Sequence, residues 1–182
     1  MDMQPEPTLV ELIRYNNWAN QQLLALCAGL SDSQTLTKIP GAYGSIRETF
    51  GHLLYAEADY IGRITGTRPQ PQFEWAEGPT LAEMSGFAVQ VGEAFLELVQ
   101  RVPPTQMVHE EEDGMTLDYL ARQLYMQVIN HGIEHRTNIT TLLNSLAIPV
   151  PELDGWGYMW AHTNRFSVKE GKVSGAAGQG GS

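Results

Sequence analysis

Three of the five histidines in the sequence have the spacing and the helical context of metal ligands. His131 and His135 are four residues apart and continue an apolar stripe formed by Leu117, Leu120, Leu124 and Val128. Residues four apart share one face of a helix, so both imidazoles are expected to point towards the protein interior. Two neutral imidazoles among leucines leave hydrogen-bonding groups unmet, and a bound cation satisfies that demand directly.

A third ligand must come from another helix, and His52 is the natural candidate because it lies inside a second helical segment. His109 falls in an acidic connection instead. On a helical wheel, with about 100° per residue, His52 sits about 130° from the centre of its own apolar stripe. We therefore expect it to line an accessible groove. The alternative is that each histidine is satisfied by a backbone carbonyl or a water.

Other metal and cofactor motifs do not fit the sequence. A zinc-protease pattern needs a glutamate directly after the first histidine, where this chain has Gly132. A di-iron bundle needs Glu-x-x-His on two helices, and no histidine here has a glutamate three residues before it. The sequence also lacks a dinucleotide-binding loop, a phosphate-binding loop and a Gly-x-Ser-x-Gly elbow.

Four segments show the apolar spacing of amphipathic helices, at about 8–30, 45–66, 80–102 and 116–147. Three of them begin with a capping-box pattern, at Thr8, Ser45 and Thr80, each followed three residues later by Glu. The connections lack the alternating pattern of strands. The sequence therefore predicts an all-α fold, a four-helix bundle that buries four amphipathic faces together.

The sequence after the fourth helix changes character twice. Residues 152–166 are rich in large apolar side chains and are expected to form a short helix or extension packed on one end of the bundle. Residues 169–182 are rich in glycine and predict a flexible C-terminal tail. We therefore expect one bundle domain over residues 1–168, followed by this tail.

Composition argues against several classes of partner. The net charge of −10, from 21 acidic and 11 basic residues, disfavours binding to nucleic acid or anionic lipid. No apolar run approaches the 18 or so residues of a membrane span, and no secretory signal is visible, so we expect a cytoplasmic protein. The single cysteine, Cys27, is expected to be a small core residue.

Four stretches carry a family resemblance: YNNWAN at 15–20, SIRETFGHLLYAE at 45–57, NHGIEHR at 130–136 and IPVPELD at 148–154. In order and spacing they resemble the DinB-like (DinB/YfiT) superfamily of metal-binding four-helix bundles. The resemblance extends from the first helix to about Trp160. It implies a metal triad of one histidine on the second helix and two on the late helix, which falls on His52, His131 and His135.

The resemblance also implies an activity, because some members activate a low-molecular-weight thiol on the metal. It points to a thiol S-transferase acting on a small electrophilic substrate. Three neutral nitrogen ligands leave a divalent cation with uncompensated charge and an open position, so a bound thiol or water loses its proton more readily. A metal-dependent hydrolase is the alternative enzyme. A non-catalytic, metal-stabilised binding protein of a stress response is the alternative from another class.

Further expectations concern the metal, the assembly and the surrounding residues. Zinc is expected first, and nickel, iron, cobalt or manganese also suit nitrogen ligands. The resemblance implies a homodimer. Residues expected to orient ligands or move protons, or else to be ordinary polar residues, are Tyr55, Glu57, Glu134 and Asn138. Residues expected to wall a substrate pocket, or else to be plain core, are Trp18, Trp156 and Trp160.

Overall fold

The computed structural model describes residues 7–112 and 114–163 of the chain. Its long helices are α1 (Pro7–Cys27), α3 (Ile46–Thr65), α4 (Leu81–Arg101) and α5 (Arg122–Ser145). The shorter elements are α2 (Asp32–Thr35), a 3-10 turn (Trp75–Glu77), β1 (Met107–Glu112), β2 (Met115–Leu120) and α6 (Gly155–Ala161). The all-α prediction is confirmed, with the addition of a small two-stranded sheet.

The long helices close into a four-helix bundle. Helix α1 packs against α4 and α5, and α3 packs against the same two helices. The side chains at the centre are fully buried or nearly so, among them Leu23, Phe50, Phe95 and Ile139. Cys27 belongs to this core, as predicted. Burial of these apolar faces drives the four helices together.

Two of the predicted capping boxes define the helix starts. The side chains of Ser45 and Thr80 accept from the backbone N–H three residues later, and the glutamates at those positions accept from the cap N–H. Thr8 does not occupy the N-cap position that the sequence pattern predicted, because α1 already begins at Pro7 and Thr8 lies within its first turn. The box at Ser45 fixes the start of the helix that carries His52.

The predicted fourth helix is wrong in its first part. Residues 107–112 and 115–120 form an antiparallel hairpin, with Val108 opposite Tyr119, and α5 begins only at Arg122. Gly114 takes a positive φ of 77° in the turn, which favours glycine. Leu117 is 44% exposed, so it does not continue the buried stripe of α5. The three-residue spacing of Leu117 and Leu120 is typical of a helix. In the hairpin, however, Val108 is buried and Leu117 is exposed.

The short C-terminal helix expected within residues 152–166 is present as α6, and it packs on α1. Its N-cap Asp154 accepts from the Gly157 N–H at 2.9 Å, and the Tyr158 hydroxyl donates to Glu11 at 2.6 Å. The flexible tail predicted for 169–182 and the domain end predicted at residue 168 lie outside the described residues. None of the helices in the described ranges is long and apolar enough to cross a membrane.

Candidate metal centre

The three predicted histidines meet at one point between α3 and α5. The Nε2 atom of His131 lies 3.1 Å from Nε2 of His52 and 3.0 Å from Nε2 of His135. One ligand atom from each of the three rings lies within 4.8 Å of the others. Two nitrogens bound to one ion at about 2.0–2.1 Å are about 2.9–3.4 Å apart for angles near 90–110°. The spacing therefore suits a single divalent ion.

The elements that carry the triad are packed directly against each other. His52 lies in the second turn of α3, and α3 contacts α5. The four-residue separation places His131 and His135 on one face of α5, where both are buried. His52 is only half-buried, in agreement with its offset from the apolar stripe. The site therefore has a buried side on α5 and an accessible side on α3.

The surroundings favour the neutral form of all three imidazoles. Burial lowers the pKa of His131 to about 4, and repulsion from His135 and His52 acts in the same direction. Burial also lowers the pKa of His52 and of His135, although the negative charge of Glu134 opposes this for both rings. A neutral imidazole carries the lone pair that a metal ion requires.

The three Nε2 atoms of the cluster also fit a cation. When they hold it, the ring protons of His131 and His135 lie on Nδ1, which is buried and has no hydrogen-bond partner among the described residues. Each neutral ring has one N–H and one lone pair, so three rings that turn Nε2 towards one another cannot all be satisfied mutually. A cation at the centre accepts all three Nε2 lone pairs. That these residues hold a metal remains a prediction, which their arrangement supports.

A tyrosine that the sequence reasoning passed over covers part of the site. The Tyr43 ring lies 4.6 Å from the His52 ring and 4.7 Å from the His135 ring, centre to centre. Its backbone N–H donates to Asn138 Oδ1 at 3.0 Å, which anchors the loop before α3 to α5. The Tyr43 side chain is still 54% exposed. It therefore lies between the histidines and solvent.

The remaining predicted residues fall into two groups. Glu134 and Asn138 belong to the site. The negative charge of Glu134 opposes the lowering of the pKa of His52 and of His135. Asn138 accepts a hydrogen bond from the Tyr43 backbone N–H. Tyr55 lies elsewhere, with the Arg68 guanidinium 4.6 Å from its ring centre.

The other histidines and the tryptophans also have different neighbours. His109 pairs with Asp118 at 2.7 Å on the exposed hairpin. Trp18 packs on Tyr158 of α6, with ring centres 5.4 Å apart. Trp156 and Trp160 are 68% and 57% exposed on α6, so neither is a core residue.

Glu57 belongs to a buried polar network that joins α1, α3 and α5. Its Oε1 accepts from the side-chain amides of Asn16 at 2.8 Å and Asn20 at 3.0 Å. The amide oxygens of both asparagines accept from Arg136 Nη1 at 2.7 Å. Burial raises the pKa of Glu57, while Asn16, Asn20 and Arg136 oppose the rise. The network fixes α3 and α5, the two helices that bear the histidines, through α1.

Sequence reasoning missed this network, although a signal was present. Asn16 and Asn20 are four residues apart within the apolar stripe of α1, and Glu57 lies within that of α3. Polar residues on a buried face require partners, which is the same argument that identified His131 and His135.

The fold and the site together define a class, namely four-helix bundles with a three-histidine cluster between two of their helices. Within that class the chain belongs to the DinB family, whose model matches residues 3–170. It is 24% identical over 143 residues to Protein DinB of Bacillus subtilis (strain 168), covering 73% of this chain and 83% of that protein.

A solved structure shows the same fold. The crystal structure of a DinB-like protein from Bacillus cereus ATCC 10987 superimposes with a TM-score of 0.63 at 19% identity. The match covers 84% of this chain and 99% of that one. This likeness supports the bundle architecture.

Proposed function

We propose that this protein is a metal-dependent thiol S-transferase that acts on small electrophiles and binds its divalent metal through His52, His131 and His135. The observation that carries the proposal is the convergence of three imidazole nitrogens beside a half-exposed face, with His131 Nε2 lying 3.0–3.1 Å from the other two. Zinc is the expected metal, and nickel, iron, cobalt or manganese also suit such a donor set.

The bound ion would supply positive charge that lowers the pKa of a thiol beside it. The thiol sulfur then attacks the electrophilic carbon, and the leaving group departs from that carbon with its electron pair. The thiol proton passes to water at the accessible side of the site, beside the half-buried His52.

Metal-dependent hydrolysis is the second candidate function. It rests on the same accessible face at His52, which admits water as readily as a thiol. A metal-stabilised binding protein without catalysis, acting in a stress response, is the candidate from another class. The homodimer and the cytoplasmic location expected above also stay predictions, and light scattering on the purified protein tests the first.

Metal analysis combined with an activity assay separates these functions. We expect the untagged protein to contain close to one equivalent of a first-row transition metal. We also expect it to accelerate thiol consumption by a chromogenic aryl chloride, with chloride as the leaving group. His131→Ala should abolish both, whereas His109→Ala, which changes an exposed histidine on the hairpin, should change neither.

Each alternative predicts a different result. Cleavage of ester substrates without thiol, lost in His131→Ala, would select the hydrolase. One equivalent of metal without turnover of either substrate type would select the binding protein. Absence of metal after supplementation with zinc, nickel, cobalt, iron and manganese would contradict all three metal-based functions.

A further inference from the structure

The guanidinium of Arg136 has an unused donor atom. Its Nη1 donates to Asn16 and Asn20, but Nη2 is buried and has no hydrogen-bond partner among the described residues. The residue as a whole is only 3% exposed. A buried charged donor without a partner costs more free energy than an unpaired neutral one, so such an atom points to a missing acceptor.

Arg136 lines a cleft of about 440 Å³ formed by α1, α5 and residues 150–154. The α5 residues in its lining include Thr140 and Asn144. At 3.6 residues per turn, Thr140 lies about 140–180° around the helix from His135 and His131. The cleft is therefore on the opposite side of α5 from the histidine cluster.

The cleft has a donor-rich end and an apolar wall. Arg136 lies beside Tyr15, with its guanidinium carbon 5.7 Å from the Tyr15 ring centre; burial lowers the pKa of Arg136, while Tyr15 and Glu57 oppose the fall. Val150 and Leu153 line the other part. An anion with an apolar tail matches this division, because its charge meets the guanidinium and its chain meets the aliphatic side chains.

The charge of the surroundings disfavours anions with more than one negative charge. Asp154 also lines the cleft, and its carboxylate, which accepts from the Gly157 N–H, disfavours a dianion. The net charge of −10 acts in the same direction. The Thr140 hydroxyl donates to the Thr137 carbonyl at 3.0 Å, so it supplies no proton to a phosphate group.

We propose that this cleft binds a monocarboxylate with a short aliphatic chain, whose carboxylate accepts from Arg136 Nη2. The inference is independent of the metal and of the proposed activity. Because Nη2 is shielded from solvent, binding requires a movement of the cleft lining that exposes this atom. The cleft volume lies within the range of small-molecule sites, about 300–1,000 Å³.

Calorimetric titration with hexanoate tests the proposal on the metal-loaded protein. We expect saturable binding with one site, and no comparable binding of 1-hexanol or hexylamine. Val150→Trp fills the cleft while leaving Arg136, Asn16 and Asn20 unsubstituted, and it should weaken hexanoate binding at least about tenfold. Val89→Trp, at a position that is 45% exposed on α4, is the matched control and should bind as the wild type does.

Two further variants complete the design. Arg136→Lys retains the positive charge, removes Nη2 and should weaken binding at least about tenfold, and Val150→Trp carries the test if this variant does not fold. His131→Ala should bind hexanoate normally. Loss of binding in His131→Ala would place the carboxylate on the metal and overturn the proposal. Equal binding of 1-hexanol, unaltered binding by Val150→Trp or no saturable binding by the wild type would overturn it as well.

Discussion

Gly132 of α5 lies so close to Asn16 of α1 that a Cβ atom on Gly132 would be 2.3 Å from Asn16 Oδ1. That oxygen accepts from Arg136, while the Asn16 amide donates to Glu57. The missing side chain at position 132 therefore lets α1 approach α5 closely enough for the polar network to form.

Gly132→Ala should destabilise the protein by about 2 kcal/mol. Alanine favours a helix by about 1 kcal/mol over glycine, but the clash and the lost bond to Arg136 cost more. Gly86 on α4 is the control, because a Cβ there meets nothing within 4 Å. Gly86→Ala should stabilise by about 0.5–1 kcal/mol in urea unfolding. If both variants gain stability, the close approach of α1 and α5 does not exclude a side chain at position 132.

Glu57→Ala should cost about 3–5 kcal/mol, since it leaves the amide donors of Asn16 and Asn20 buried without their acceptor and removes the negative charge that balances Arg136. Glu57→Gln retains an acceptor oxygen and should cost less. Urea unfolding of both variants gives the comparison. The exposed Glu134→Ala is the control and should change stability by less than about 0.5 kcal/mol. Equal losses in Ala and Gln variants would show that charge, and not hydrogen bonding, dominates at position 57.

The contribution of Glu48 to the free energy of unfolding should decrease as the pH falls into the acid range. Glu48 accepts from Lys38 at 2.6 Å and from the Ser45 N–H at 2.8 Å, and these contacts lower its pKa to about 2. Because the folded pKa lies below the unfolded one, the contribution is present at neutral pH and is lost as the pH falls from about 4.5 towards 2. Glu48→Gln should therefore lose about 1 kcal/mol at pH 7 and approach the wild type in acid.

Glu83→Gln is the matched control for Glu48, because Glu83 occupies the same capping-box position with Thr80 as its partner. Its effect should be smaller, since Lys38 is the largest cause of the shift at Glu48. Urea unfolding at several pH values measures both. A difference between Glu48→Gln and wild type that persists unchanged down to pH 2.5 would contradict the assignment.

Tyr43→Ala should weaken metal binding about tenfold, whereas Tyr43→Phe should stay within about twofold. The ring restricts both His52 and His135, and an aromatic pair contributes about 0.5–1.5 kcal/mol. Competition with a coloured chelator measures the affinity. Tyr55→Ala removes an exposed tyrosine that packs near Arg68 and should bind metal as the wild type does. Wild-type affinity in Tyr43→Ala would mean that the ring does not hold the imidazoles in place.

Zinc at 100 times its dissociation constant should raise the free energy of unfolding by about 2.7 kcal/mol, because it binds the folded protein. Removal by a chelator should reverse this. His135→Ala should show no such increase, and His162→Ala, whose Nδ1 contacts the Tyr158 carbonyl at 2.8 Å, should retain it. Urea unfolding with and without zinc tests the metal centre without reference to any activity. A zinc effect that survives in His135→Ala would place the metal elsewhere.

Local sequence patterns correctly predicted the features that depend only on residues close to one another in the chain. The capping boxes at Ser45 and Thr80, and the shared face of His131 and His135, follow from helical geometry alone. The same reasoning failed at Leu117 and Leu120, because a spacing of three residues fits a helix while the chain there pairs with 107–112 in a hairpin. Cross-strand pairing is a longer-range relationship that a local period does not contain.

The sequence by itself determined that four amphipathic helices must bury their faces together and that three histidines lie on two of them. Only the tertiary structure decided which side chains meet, such as Tyr43 over His52 and His135, or Asn16 between Glu57 and Arg136. The physical reason is that periodicity fixes the direction of a side chain about its own helix axis. The partner it meets depends on the register and close approach of a second helix, which at α1 and α5 is set by the absent side chain of Gly132.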